Sequence, residues 1–313
     1  MLLLLQYTII FGSVLSLVAL GGCFSEHSGV INLGLEGIMV MGALGGALAM
    51  NWFSTVTNPF VMILIVTIMA IIFGVLYSML LAVACINFKA DQTLVGTALN
   101  MLATAIATVL VRSINSAQDA SNVSTTLQYI NQKKLLVVQL GGFQFNWFML
   151  FALAALIISY VVLYKTRFGL RLRACGENPQ AADSVGINVY RMRWAGVLIS
   201  GLLGGLGGIV YITAGVSEWK FDVGVAGFGF LALAVMIFGQ WKPHKIALAA
   251  LLFGFFRALS NVYTQFEFLA NLPIPSTFYN MLPYIISLVV LVFSSKNSAA
   301  PKAEGIPYDK GSR

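Results

Sequence analysis

Long apolar runs separated by short polar breaks dominate the chain. About nine of them come near or exceed the ~18–20 residues that cross a ~30 Å hydrocarbon core as a helix. They fall roughly at 4–23, 29–50, 61–86, 93–111, 147–164, 194–215, 224–239, 246–262 and 280–295. The breaks are NFKAD at 87–91, a longer polar stretch at 112–146, a basic segment at 165–193, EWKFD at 218–222, QWKPHK at 240–245 and a polar tail from Lys296. The pattern predicts an all-α polytopic membrane protein with a transmembrane domain over 1–295. The tail, 296–313, carries too little apolar surface to fold and is expected to be disordered.

Composition sharpens this picture. Of 313 residues, 59% are hydrophobic and 9% charged, against about a quarter charged in a soluble domain, so soluble, disordered and collagen-like classes are excluded. The net charge of +7 is read as loop charge facing the cytoplasm, not as a surface for a nucleic acid polymer. Lys89, the Lys and Arg residues from Lys165 to Arg193, Lys242, Lys245 and the tail cations fall on one side, whereas Arg112, Lys133, Lys134, Lys220 and Arg257 fall on the other. That imbalance puts the 165–193 loop and the C-terminus in the cytoplasm and the N-terminus outside a plasma membrane. MLLLLQYTII lacks the basic start of a secretory signal and reads as the first span. Cys23, Cys85 and Cys175 form no C-x-x-C pair and read as free thiols.

No G-x-x-x-x-G-K-[ST] loop, H-E-x-x-H pair or G-x-S-x-G elbow is present, so no catalytic residue, metal ligand or cofactor bound by this chain is expected. In the 165–193 loop, Gly176, Glu177, Asn178 and Pro179 set up a helix start, because Asn caps well and Pro is tolerated at the first helical position. Ala181, Ala182 and Asp183 lie in the short helix that follows, and Gly186 suits the left-handed residue that ends it. Such a helix is too short to stand alone, and reads either as a surface loop or as a docking element.

Within the spans, Asn32-Leu-Gly34-Leu-Glu36-Gly37 and Asp222-Val-Gly224-Val-Ala-Gly227 share a polar-x-Gly-x-x-Gly spacing on spans running in opposite directions, the pattern of an inverted repeat. Glu36 either supports an unwound backbone or lines a passage. Thr93, Thr97, Asn100, Thr104 and Thr108 share one helical face, which either packs through bonds to the preceding turn or lines the passage. Gly201, Gly204, Gly205 and Gly208, with Gly42 and Gly46, permit close helix approach. Arg257 is expected to snorkel toward the outer headgroups or to face an outer vestibule.

The run from Thr166 to Val189, with Ser200–Gly208 and Ser28–Gly37, resembles the permease subunits of ABC importers for branched-chain amino acids, simple sugars and nucleosides. Its Gly-Glu-Asn-Pro-x-Ala-Ala-Asp form at 176–183 is most similar to nucleoside permeases that work with a basic membrane lipoprotein. The resemblance implies a second, homologous permease subunit, a cytoplasmic ABC ATPase that binds the ATP, and an extracytoplasmic substrate-binding lipoprotein. It also implies that 176–187 is the coupling helix, while Asn32, Glu36, Thr97, Asn100 and Thr104 remain candidates for the translocation path. Sugar or amino-acid import by the same architecture, and an ion-coupled secondary transporter built around Glu36, are the alternatives.

Overall fold

The computed structural model describes residues 1–140, 143–270, 275–294 and 299–311. Its helices are α1 (Leu2–His27), α2 (Leu35–Trp52), α3 (Pro59–Ala82), α4 (Gln92–Gln118), α5 (Ile130–Leu135), α6 (Phe148–Lys165), α7 (Arg167–Glu177), α8 (Pro179–Ser184), α9 (Val189–Val210), α10 (Phe228–Phe238), α11 (Pro243–Val262), α12 (Glu267–Ala270) and α13 (Ser276–Ser294). Among the described residues seven helices are long and apolar enough to cross a membrane, and Phe228–Phe238 and Thr277–Val289 are shorter apolar helices where two further spans are expected. The chain is a polytopic helical membrane protein.

Local sequence explains the helix starts. Asn58 accepts the N–H of Phe60 at 3.0 Å with Pro59 at the first helical position, Asp91 accepts that of Leu94 at 2.9 Å, and Asn188 that of Arg191 at 2.9 Å. Each satisfies one of the backbone donors that a helix leaves open at its N-terminus.

Helices α1, α2 and α9 form the centre. Every residue of α1 from Ile10 to His27 is buried, and α9 packs against α1, α2 and α3 together. The contact is close because α9 offers glycines: a Cβ on Gly205 would stand 2.5 Å from the Ala70 carbonyl, one on Gly201 2.8 Å from that of Gly74, and one on Gly204 2.7 Å from Ile38. Gly208 lies directly against the Met39 carbonyl of α2. Without water to drive helices together, such van der Waals contact between backbones is what holds them. Outside this centre, α3 turns Phe60, Leu64, Ile68, Ile72 and Leu76 outward, one residue per turn, as a lipid-facing stripe.

Two features differ from the sequence expectation. Val137–Leu140 and Phe143–Asn146 pair as an antiparallel hairpin, with Val137 opposite Asn146, so the otherwise all-α chain carries a small sheet in the stretch where apolar residues alternate. The tail, expected to be disordered from 296, is ordered over 299–311, where Pro301, Ala303 and Tyr308 are buried against the helices. Its composition is polar, but the few apolar side chains land in a cleft already built by α7 and α9. Residues 295–298 and 312–313 lie outside the described residues.

The close glycine packing gives a direct test. Gly205→Leu is expected to remove folded protein or lower its melting temperature in detergent, because overpacking alone costs ~1–3 kcal/mol and the facing atoms are backbone. Gly186→Ala, with nothing within 4 Å but a φ of +84°, is expected to cost only ~1 kcal/mol.

Candidate functional site

The spans expected at 29–50 and 224–239 both begin as non-helical chain. Gly29 has φ +92° and α2 starts only at Leu35; Gly224 and Gly227 have φ +63° and +77° and α10 starts only at Phe228. Irregular backbone at membrane depth must find partners within the protein, and side chains supply them. Asn100 of α4 bridges the start of α2, accepting the Gly37 N–H at 2.8 Å and donating to the Leu33 carbonyl at 2.8 Å. Gln92 accepts the Ile31 N–H at 2.7 Å.

Glu36, in the first turn of α2, does the same for α10. Its two oxygens accept the N–H of Gly227 at 2.8 Å and of Gly229 at 2.6 Å. Gly229 makes this possible: a Cβ there would lie 2.5 Å from the Glu36 Cα. An acidic group at a helix N-terminus also meets the positive end of the helix dipole. Tyr284 donates to the Ala226 carbonyl at 2.8 Å, and Thr125 to Asp222 at 3.2 Å, so the second irregular segment is held along its length.

From this junction the two helices leave in opposite directions. The far end of α2 reaches the hairpin end of the bundle, where Asn51 donates to Gln128 at 3.1 Å. The far end of α10 reaches the α7–α8 end, where the Trp241 indole donates to Glu26 at 2.5 Å and its carbonyl accepts from Cys23 at 3.2 Å.

Beside the junction runs an open groove of about 720 Å³ lined by Thr97, Asn100, Thr104 and Thr108 on one wall and Asp222 and Phe230 on the other. The threonine hydroxyls bond back to their own helix: Thr97 donates to Thr93 and Leu94, Thr104 to Asn100 and Thr108 to Thr104. Thr97, Thr104 and Thr108 are thus self-bonded donors on the groove wall, and Thr93 is not among the lining residues. Asn32 stands apart from it; fully buried, it donates to Ser200 at 2.8 Å and leaves its own amide oxygen without a partner.

At the other end of the bundle, Asn178 accepts the Ala181 N–H at 3.0 Å, Pro179 occupies the first helical position of α8 and Gly186 takes the left-handed conformation. Gly176 and Glu177, read from sequence as part of this helix, belong instead to the last turn of α7, since Asn178 breaks the chain into an extended residue between them. Pro179 and Ala182 face inward, whereas Gln180, Ala181, Ser184 and Val185 are exposed.

Of the places expected for Arg257, outward snorkelling is not the one it takes. Its guanidinium lies over the rings of Phe228 at 5.3 Å and Phe11 at 5.9 Å, inside the bundle and not among headgroups, because these two aromatics offer π-faces at reachable depth. Glu26, buried in the last turn of α1, was not legible as a site residue because it sits just past an apolar run, where a charge reads as loop. Lys133, at the hairpin end, donates to the Val216 and Ser217 carbonyls, and burial lowers its pKa to about 8.

Two outcomes test these assignments. Glu36→Gln leaves an amide NH₂ facing backbone N–H groups that now meet a carboxylate oxygen and is expected to cost ~1–3 kcal/mol, read as a lowered melting temperature; an unchanged melt would mean that the junction does not need both acceptors. Lys133 is neutral in the folded chain above its lowered pKa while the unfolded chain stays protonated, so stability gained at this residue rises with pH from about 8 toward the ordinary lysine value. NMR of reductively methylated protein should show a titration near that midpoint.

Comparison with known proteins agrees with this architecture. The family model for branched-chain amino acid transport system / permease component matches residues 4–294. Nucleoside ABC transporter permease protein NupC of Lactococcus lactis is 40% identical over 96% of this chain and 95% of its own length. Guanosine ABC transporter permease protein NupQ of Bacillus subtilis is 39% identical over 98% of this chain and 96% of its own. A second Lactococcus lactis protein, nucleoside ABC transporter permease protein NupB, is 26% identical over 77% of this chain and 67% of its own length. With a matched model over nearly all of its residues and two such relatives along its whole length, this chain belongs to the permease family of branched-chain amino acid transport systems.

Proposed function

We propose that the chain is the transmembrane permease subunit of an ATP-driven importer of nucleosides. The observation that carries this is its near-full-length similarity to two permeases named for nucleosides and guanosine. The chain itself has no phosphate-cradling loop, so ATP hydrolysis falls to a separate cytoplasmic ATPase. The capped helix α8, with Gln180, Ala181, Ser184 and Val185 presented outward, is its contact: a coupling helix that receives nucleotide-driven motion and passes it to α7 and α9.

The α7–α8 end faces the cytoplasm, in keeping with the excess of Lys and Arg there, and the hairpin end faces outward, toward an external substrate-binding lipoprotein. The groove beside α4 is one wall of the passage, closed by a second, homologous permease; the occurrence of both NupC and NupB in Lactococcus lactis supports a two-permease pore. At about 720 Å³ the groove has the size of a small-molecule site. Thr97, Thr104, Thr108 and Asp222 offer hydroxyl and carboxylate oxygens to ribose hydroxyls and base edges, and Phe230 an aromatic face for the base. Alternating access then pivots near Glu36, where the two broken helices meet.

Uptake of labelled guanosine, ribose and leucine by cells with and without the gene, repeated with the ATPase inactivated, tests the assignment. Guanosine uptake alone should be lost in both cases; loss of ribose or leucine uptake would overturn the substrate and leave the architecture. Asn178→Ala with Gly186→Val should leave the protein inserted but reduce transport by at least ~10-fold, about 1.4 kcal/mol, since the helix that receives the ATPase loses both of its caps.

A further inference from the structure

The segment 299–311 touches α7, α8, α9, the end of α1 and the connections at 28–34 and 83–91. Ala303 donates its N–H to the Gly176 carbonyl of α7 at 2.8 Å, and Pro301 rests on Gly176 itself, where a side chain would also strike the His27 carbonyl of α1. Gly305, with φ +77°, turns the segment over Ile31. Tyr308 packs edge-on against Tyr190 of α9 with ring centroids 5.4 Å apart. Asp309 pairs with Lys89 at 3.1 Å and Lys310 reaches Asp183 of α8 at 3.9 Å.

What lies beneath explains why Tyr308 matters. Arg193, in the first turns of α9, is 1% exposed, and its Nε and one terminal nitrogen have no hydrogen-bond partner. The Tyr308 ring lies 5.9 Å from its guanidinium, an arrangement that compensates a buried cation with an aromatic face. Further along, the Glu304 carboxyl lies near that of Glu26. Burial raises the pKa of the Glu304 carboxyl. Exposed ion pairs contribute little on their own, so the seat depends on the buried residues Pro301, Ala303 and Tyr308.

These contacts share a geometry. Each joins the segment either to α7 and α8 or to the bundle proper at α1, the 28–34 turn, the 83–91 connection and α9. Helix α8 is only six residues long and hangs between α7 and α9, too short to keep its own conformation under load. We propose that residues 299–311 form a strap that fixes the α7–α8 element to the bundle, with Tyr308 as its positioning residue, so that displacement of α8 is transmitted to α1 and α9 and not absorbed by local unfolding. This rests on the reading of α8 as the contact with the ATPase.

The test uses the assembled transporter with wild type, Tyr308→Ala, Tyr308→Phe and a deletion of 299–313. Hydrogen exchange at amides 180–188 should rise roughly tenfold in the deletion and in Tyr308→Ala, with exchange in α2 unchanged, and return to the wild-type rate in Tyr308→Phe, which keeps the ring. In proteoliposomes the guanosine moved per ATP hydrolysed should fall several-fold in the same two variants while ATP hydrolysis continues. Unchanged exchange at 180–188 would overturn the strap whatever the substrate. Raised exchange with an unchanged ratio of transport to hydrolysis would overturn its role in coupling. If intact transporter moves no guanosine, the substrate assignment fails and the exchange data alone decide for or against the strap.

Discussion

Backbone that leaves helical geometry within a bundle must find its partners there, and in this chain that need falls on two stretches at once, those that lead into α2 and α10. At the second, Glu36 accepts the Gly227 and Gly229 N–H groups beside the bonds from Tyr284 and Thr125, and at the first Asn100 bridges Leu33 and Gly37 beside Gln92. Because Glu36 itself rides on the first turn of α2, the two solutions are linked: α10 is positioned by α2, which is positioned by α4. The groove, whose walls are α4 and the 222–230 segment, has its shape set by those same bonds.

The packing around the junction follows from the same constraint. A carboxyl on α2 can reach the start of α10 only if the backbones come together, hence Gly229 against Glu36, and α2 can hold its place only against an equally close neighbour, hence Gly205 and Gly208 on α9. The polar contacts are few and specific, while the glycine contacts are many and shape-based, and neither set works without the other.

Much of this was legible in the sequence because membrane chains write their architecture in hydropathy. The apolar runs located the long helices, and the caps at Asn178, Pro179 and Gly186 were readable from local chemistry because capping involves only neighbours in the chain. Asn100 and the threonine stripe could be assigned to one face from spacing alone. What sequence could not supply was the depth at which a helix starts: Gly-rich stretches near 29 and 224 are apolar enough to count as span, and only tertiary partners such as Glu36 reveal that they are unwound. Arg257 and Glu26 escaped for the same reason, since their surroundings come from distant helices. The 299–311 segment escaped because composition averages over residues, whereas docking depends on three of them fitting a prepared cleft.

The head-to-head meeting of α2 and α10 has an electrical consequence. Two helix N-termini, each equivalent to roughly half a positive charge, converge in the interior of the bundle, and the Arg257 guanidinium lies over Phe228 in the first turn of α10. Set against this are the carboxyl of Glu36, bound to backbone donors, and that of Asp222 on the groove wall. The local charge at this meeting point is therefore set by backbone ends and by groups drawn from separate helices, not by the exposed lysines and arginines that dominate the net charge of the chain.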